Sequence, residues 1–248
     1  MIPIHVMPEM PTQAFLDALQ QQGFAGEIDT SAAQRAVYAT DNSIYERPPQ
    51  AIVCPKHVAD LQVLTRLLAE ERFRGVVVTA RGGGTGTNGQ SLTEGIVVDV
   101  SRHMNHILSI DVAKRQVRVQ AGVVKDQLNR ALKPHGLFFA PELSTSNRAT
   151  IGGMVNTDAS GQGSCTYGKT RDHVLALKTV LWGGEVLQSQ ALSEHTWRDD
   201  ITSLSASMQQ RFYALHDPLT APQDAIQAPS PTPNPCSKGY DRPHRFKP

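Results

Sequence analysis

Residues 81–89 read RGGGTGTNG, five glycines in nine positions directly after an apolar, strand-like run. Glycine loses more backbone freedom on folding than any other residue. Such density is therefore expected where the chain must take positive φ or approach a ligand with no β-carbon in the way. Successive unobstructed N–H groups form concave nests for phosphate oxygens, and Arg81 at the mouth of the loop carries a guanidinium suited to a diphosphate. The plain alternative, a tight bend between two strands, suits a single Gly-Gly better than five glycines interleaved with Thr and Asn. The loop is read as a phosphate or nucleotide cradle.

Two familiar patterns in the chain are decoys. Gly84, Gly86 and Gly89 spell G-x-G-x-x-G, but the dinucleotide fingerprint needs a helix to begin inside the motif. Only residues 90–95 separate this loop from the next apolar run at 96–100, so the unit is strand, loop, strand. Residues 163–170, GSCTYGKT, fit the P-loop pattern letter for letter. They leave a small-residue stretch and enter RDHVLALKTVLW, which alternates like a strand where a P-loop requires a long helix. A P-loop NTPase built on Lys169 is therefore a remote alternative.

The chain has 248 residues, 40% of them apolar, enough for a real core, and a net charge of +1. That charge gives no electrostatic case for nucleic acid or anionic membrane, and no apolar run approaches the ~20 residues of a membrane span. The first 25 residues lack a cationic start and a continuous apolar core, so a cytoplasmic protein is expected. Cys54, Cys165 and Cys236 show no close spacing, and neither a disulfide framework nor a cysteine metal site is expected. His103 and His106 lack a carboxylate to complete a site and read as surface or turn residues; no metal is expected.

In chain order, helices are expected over 12–22 and 31–39, in a helical extension spanning 1–45. A buried strand at 51–54, an amphipathic helix over 57–73 and a strand at 75–80 covered on both faces make a β-α-β unit. The glycine loop then sits at the carboxyl end of its second strand, where ligands bind in α/β sheets. Further strands follow at 96–100, 107–110 and 116–120, then a helix over 124–133. Residues 141–168 hold five more glycines, few large apolar residues, and a small-residue turn at 150–155. A stretch this long without a hydrophobic period, set between well-patterned elements, suggests a segment held by a ligand. A hairpin around Gly183 and Gly184 follows. Residues 193–248 form a poorly patterned, Pro-rich tail that is expected to be disordered.

With both glycine blocks in view, residues 50–190 resemble the FAD-binding (PCMH-type) domain of the vanillyl-alcohol oxidase and p-cresol methylhydroxylase superfamily. The D-2-hydroxyacid dehydrogenases of D-lactate or D-2-hydroxyglutarate type are the nearest in pattern. RGGGTGTNGQS, GIVVDVSRHMN, VQAGV, FFAPELSTSNRATIGGMVNTDASGQGS and YGKTRDHVLALKTVLWGGEVL follow that family in order and spacing. The resemblance implies an α+β fold of two subdomains, a small parallel β-α-β sheet and a mixed or antiparallel sheet, with FAD between them over residues 46–192. By the same resemblance Gly82, Gly83, Gly84, Thr85, Gly86, Gly89 and Ser91 wrap the pyrophosphate beside Arg81. Pro141, Ser144, Thr150, Gly152, Gly153 and Asn156 lie along the ribityl chain and flavin ring. Ser160, Gly161, Tyr167 and Gly168 close over the ring, and Val174 is on the strand beside the adenine. For each polar residue a local turn or cap contact is the plain alternative, and Tyr167 also suits a core position. Covalent relatives carry a histidine in the loop where this chain has Thr85, which implies noncovalent FAD. The implied function is oxidation of the CH–OH group of a D-2-hydroxyacid, with a small hydroxyacid as partner only in a complete enzyme. Family members continue into substrate and iron–sulfur domains that this chain does not show, so a fragment inactive alone is expected. A flavin-binding module without turnover is the alternative.

Overall fold

The computed structural model describes residues 12–191 and 197–220. Its first half is a four-stranded sheet with helices on both faces. Helix α1 (Thr12–Gln21) leads into strand β1 (Glu27–Asp29), helix α2 (Ala32–Tyr38) and strand β2 (Ala51–Cys54). Helix α3 (Val58–Leu68) crosses to β3 (Val78–Arg81), and β4 (Ile96–Asp99) follows the glycine loop. The strand order is β1-β2-β4-β3, with β4 parallel to both its neighbours and β1 antiparallel to β2.

β2 and β4 read as unbroken apolar runs because both their faces are covered. Ala51, Val53, Ile96 and Val98 pack against Phe15, Leu19, Leu64 and Leu67 of α1 and α3. Ile52, Cys54 and Val97 point the other way, toward Tyr38 of α2. Phe15 is fully buried and meets Phe73 edge to face at 5.3 Å. Burial of such a side chain contributes roughly 1.5–3 kcal/mol.

The turn into α3 is fixed by a single carboxylate. Asp60, 2% exposed, accepts from Ala25 N at 2.8 Å, Lys56 N at 2.7 Å and His57 N at 3.0 Å. It thereby satisfies amides at the helix entrance that have no partner within the helix.

The second half begins with the antiparallel pair β5 (Ile107–Asp111) and β6 (Gln116–Val119). Helix α4 (Lys125–Leu132) covers this pair through Leu128 and Leu132. Two short helices follow, α5 (Ile151–Asn156) and α6 (Ser164–Tyr167), before the hairpin β7 (Leu177–Val180) and β8 (Val186–Ser189). The hairpin tip is fastened to α3, with Gly183 N donating to Thr65 O at 3.2 Å and Gln62 Nε2 to Gly184 O at 2.9 Å. Helices α7 (Trp197–Asp200) and α8 (Ala206–Thr220) complete the described chain.

Several expectations are revised. β3 lies at the sheet edge and is half-exposed, not covered on both faces, because β4 inserts between it and β2. The small-residue segment expected to be a turn at 150–155 is α5, a six-residue helix capped by Thr150, whose Oγ1 accepts from Gly153 N at 3.4 Å. Residues 197–220, read as patternless, are helical and bury Ile201 and Met208; residues 221–248 of the Pro-rich tail lie outside the described residues. Cys54 is a buried free thiol.

Candidate FAD site

The two glycine blocks meet. A β-carbon on Gly82 would overlap Thr150 Oγ1, and one on Gly83 would overlap the Arg148 carbonyl oxygen. The segment 148–150 is itself pinned from behind: Lys125 N donates to Ala149 O at 2.9 Å and Ile151 N to Val123 O at 2.8 Å. Only glycine lets these two stretches of backbone approach so closely.

A cleft of ≈ 470 Å³ opens beside this junction. Arg81, Gly82, Gly83, Asp99 and Ser101 line it from the carboxyl ends of β3 and β4; Tyr38 lines it from α2, and Asn147, Arg148 and Thr150 from the second block. Ligands of open α/β sheets bind at such a place.

The loop is built to receive an anion. Among the described residues nothing accepts from the backbone amides of Gly83, Gly84, Thr85, Gly86 and Thr87, although residues 83–86 are only part-exposed. Gly84 has φ of 62°, and its carbonyl is turned away to accept from Asn42 N at 3.1 Å. A run of N–H groups with no acceptor among the described residues, on one strand-to-strand connection, is a donor set suited to phosphate oxygens. The residues present therefore fit a dinucleotide diphosphate.

Arg81 ties the loop to α2. Its Nη2 donates to Thr40 O at 2.8 Å and its Nη1 to Tyr38 O at 3.4 Å, and the guanidinium lies 5.1 Å from the Tyr38 ring centroid. It holds α2 against the loop. Tyr38 in turn donates its hydroxyl to Asp99 Oδ2, and burial followed by that bond raises the phenol's pKa above its ordinary value. Asp99 also accepts from Ser101 N at 2.6 Å and Ser101 Oγ at 2.7 Å.

The remaining predicted residues fall into groups. Gly84, Thr85, Gly86, Gly89 and Ser91 extend the loop away from the cleft toward residues 41–45. Gly89 lies against Tyr45, and Ser91 Oγ donates to Asp41 Oδ2 at 2.9 Å. Burial pushes the Asp41 carboxyl up, but the hydrogen bonds from Ser43 and Ser91 outweigh it and hold the pKa below the usual carboxylate value. Gly152 packs on Ala121, and Gly153 lies beside Thr150. Pro141 is buried, while Ser144 and Asn156 are exposed. Ser160 is buried, and Gly161 abuts the Glu142 carbonyl, which folds the second block back on itself. Gly168 lies beside Asp172, and the exposed Tyr167 makes an edge-to-face pair with Phe138 at 5.8 Å. Val174 stands just ahead of β7, not within a strand. Sequence reasoning missed Tyr38, Asp99 and Arg148. Tyr38 and Asp99 meet only through the fold, whereas Arg148 stood in plain view inside the second block.

The P-loop decoy does not form. Its Gly-Lys-Thr follows the four-residue α6 and leads to a 3-10 turn, Thr170–His173, and then to β7.

A family model described as FAD binding domain matches residues 49–190, more than half of the chain. The chain belongs to this FAD-binding domain family. D-2-hydroxyglutarate dehydrogenase of Pseudomonas putida is 55% identical over 239 residues, 96% of this chain and 24% of that protein. The Escherichia coli protein of the same name is 60% identical over 178 residues, 72% of this chain and 18% of its own length. The chain thus spans about a quarter or less of these curated relatives. The Pseudomonas alignment also runs well past residue 190, through a stretch in which sequence reading found no family pattern. Among solved structures, alkyldihydroxyacetonephosphate synthase has a TM-score of 0.64 at 21% identity over 75% of this chain and 39% of its own. For 6-hydroxy-D-nicotine oxidase from Arthrobacter nicotinovorans the TM-score is 0.60 at 23% identity, over 68% and 36%. These likenesses place the chain in the α+β, PCMH-type FAD-binding fold. Among the described residues no helix is long and apolar enough to cross a membrane.

Proposed function

We propose that these residues form the FAD-holding part of a flavin-dependent dehydrogenase acting on the CH–OH group of a D-2-hydroxyacid of the D-2-hydroxyglutarate type, with FAD bound noncovalently. The observation that carries the cofactor reading is the row of unmatched amides at residues 83–87, which begins where residues 148–150 close against Gly82 and Gly83. The substrate reading rests on relatives of 55% and 60% identity that bear the name D-2-hydroxyglutarate dehydrogenase, and it is made for a protein of their length. Bound FAD would supply a two-electron acceptor for the hydrogen on the hydroxyl-bearing carbon. The chain's own share is binding and orientation. Amides 83–87 would hold the diphosphate, Arg81 fixes the loop on α2, and Tyr38 and Ser101 hold the Asp99 carboxylate in place. Thr85 offers no nucleophilic ring nitrogen for attachment to a flavin, which supports the noncovalent assignment.

The test is flavin titration of the 248-residue chain followed by acid precipitation. All flavin is expected in the supernatant; colour left in the pellet would refute noncovalent binding. In a protein of the relatives' length, anaerobic D-2-hydroxyglutarate should bleach the flavin absorbance and its L-enantiomer should not. Bleaching by neither acid would remove the substrate assignment.

A further inference from the structure

The cleft wall contains three charged side chains, Arg81, Asp99 and Arg148. Two are committed. Arg81 is bonded to the carbonyls of Tyr38 and Thr40, and Asp99 to Tyr38 and Ser101. Arg148 is exposed, and no described residue hydrogen-bonds or ion-pairs with its guanidinium.

Its backbone, by contrast, is held on every side. Arg148 N donates to Thr145 O at 2.9 Å, the Arg148 carbonyl abuts Gly83, and Ala149 is tied to Lys125. A long cationic side chain is thus anchored on rigid backbone directly across from the first unmatched amide of the loop. Asn147 and Gln127, both exposed, line the same wall and add neutral donors.

We infer that Arg148 is the cation that pairs with the diphosphate of the bound dinucleotide, across the cleft from Gly82 and Gly83, where the row of unmatched amides begins. This inference rests on the FAD reading above. The division of labour follows from geometry. The Arg81 fork is held on α2 by two carbonyls and the Tyr38 ring, while the fork of Arg148, on a fixed stem and with no partner among the described residues, can meet two phosphate oxygens at once. The competing account is that Arg148 is an ordinary solvated surface arginine.

The experiment measures Kd of the 248-residue chain for FAD, FMN and riboflavin by flavin fluorescence, in wild type, Arg148→Ala and Arg148→Lys. Arg148→Ala is expected to raise the FAD Kd at least tenfold, leave riboflavin unchanged, and flatten the salt dependence of FAD binding. Arg148→Lys should recover part of the loss, because a point charge replaces the fork. FMN, with one phosphate, should lose less than FAD. The inference is overturned if Arg148→Ala keeps the FAD Kd within twofold of wild type, or if FAD and riboflavin weaken equally, which would assign Arg148 to loop shape. No FAD binding by the wild-type chain would instead bring down the cofactor reading itself.

Discussion

Gly83 and Arg148 sit so close that the arginine's carbonyl oxygen occupies the space where any other residue at 83 would carry its β-carbon. Two segments far apart in sequence are thereby registered to one another, and the wall of the cleft is set relative to the loop that faces it. At Gly82 the obstacle is the Thr150 side chain, which can yield only by giving up its cap of α5; at Gly83 it is backbone.

Gly83→Ala should therefore be the more damaging of the two substitutions. Forcing the segments apart is expected to cost about 1–3 kcal/mol and to weaken FAD binding at least tenfold, with a smaller loss for Gly82→Ala. Flavin titration of both variants decides it; equal and slight effects would mean that the two blocks do not make one site.

Asp60 governs the entrance to α3. Asp60→Ala would take from the amides of Ala25, Lys56 and His57 the one buried carboxylate that accepts from all three. The expected loss is at least about 2 kcal/mol. Urea unfolding with an unchanged slope would measure it, and a shift below 0.5 kcal/mol would show that water replaces the carboxylate there.

The thiol of Cys54 makes stability fall in alkali. Burial, and secondarily the nearby charge of Asp99, push its pKa up to about 11, with Arg102 pulling the other way. The unfolded thiol, near 8.5, releases its proton first, so the folded state binds more protons in between. The stabilisation is complete below the unfolded value and is lost as pH rises toward about 11. Thermal melts from pH 8 to 10 should fall in wild type and stay nearly level in Cys54→Ala. Tyr38, also raised, extends the decline to higher pH in both proteins. Parallel curves would exclude the thiol as the source.

Lys125 is 4% exposed on the face of α4 that also carries Leu128 and Leu132, and no described residue accepts from its ammonium. A buried charge without a partner is costly. Lys125→Met keeps the stem and removes the charge, and should raise stability by about 1–3 kcal/mol, a melting shift of several degrees. A lower melting temperature would show that water or an ion satisfies the ammonium in solution.

Much of this was legible before any coordinates. β2, β4 and α3 announce themselves because two-sided burial writes continuous apolar runs and one-sided burial writes a helical stripe. The glycine loop is legible because its composition has few other uses. The run of valines at 76–78 that leads into β3 reads like a central strand, and nothing local says that β4 will insert beside β2 and leave β3 at the edge. α5 hides behind its own Gly152 and Gly153, residues that discourage helix in isolation, although Gly152 here admits Ala121 at close range. Arg81 was read as the phosphate partner because it adjoins the loop in sequence. Its actual partners, the carbonyls of Tyr38 and Thr40, are brought there by tertiary folding alone.

The fastening of the hairpin tip to α3 bears on how the molecule is made. On the ribosome, α3 and the parallel strands emerge well before Thr150, and long before Gly183 and Gly184 reach Thr65 and Gln62. A nascent chain ending at Asp99 has its glycine loop laid out with no opposite wall. Cofactor capture then waits at least until residues 148–150 have been made, and until then the amide row is open to solvent and to any anion that passes.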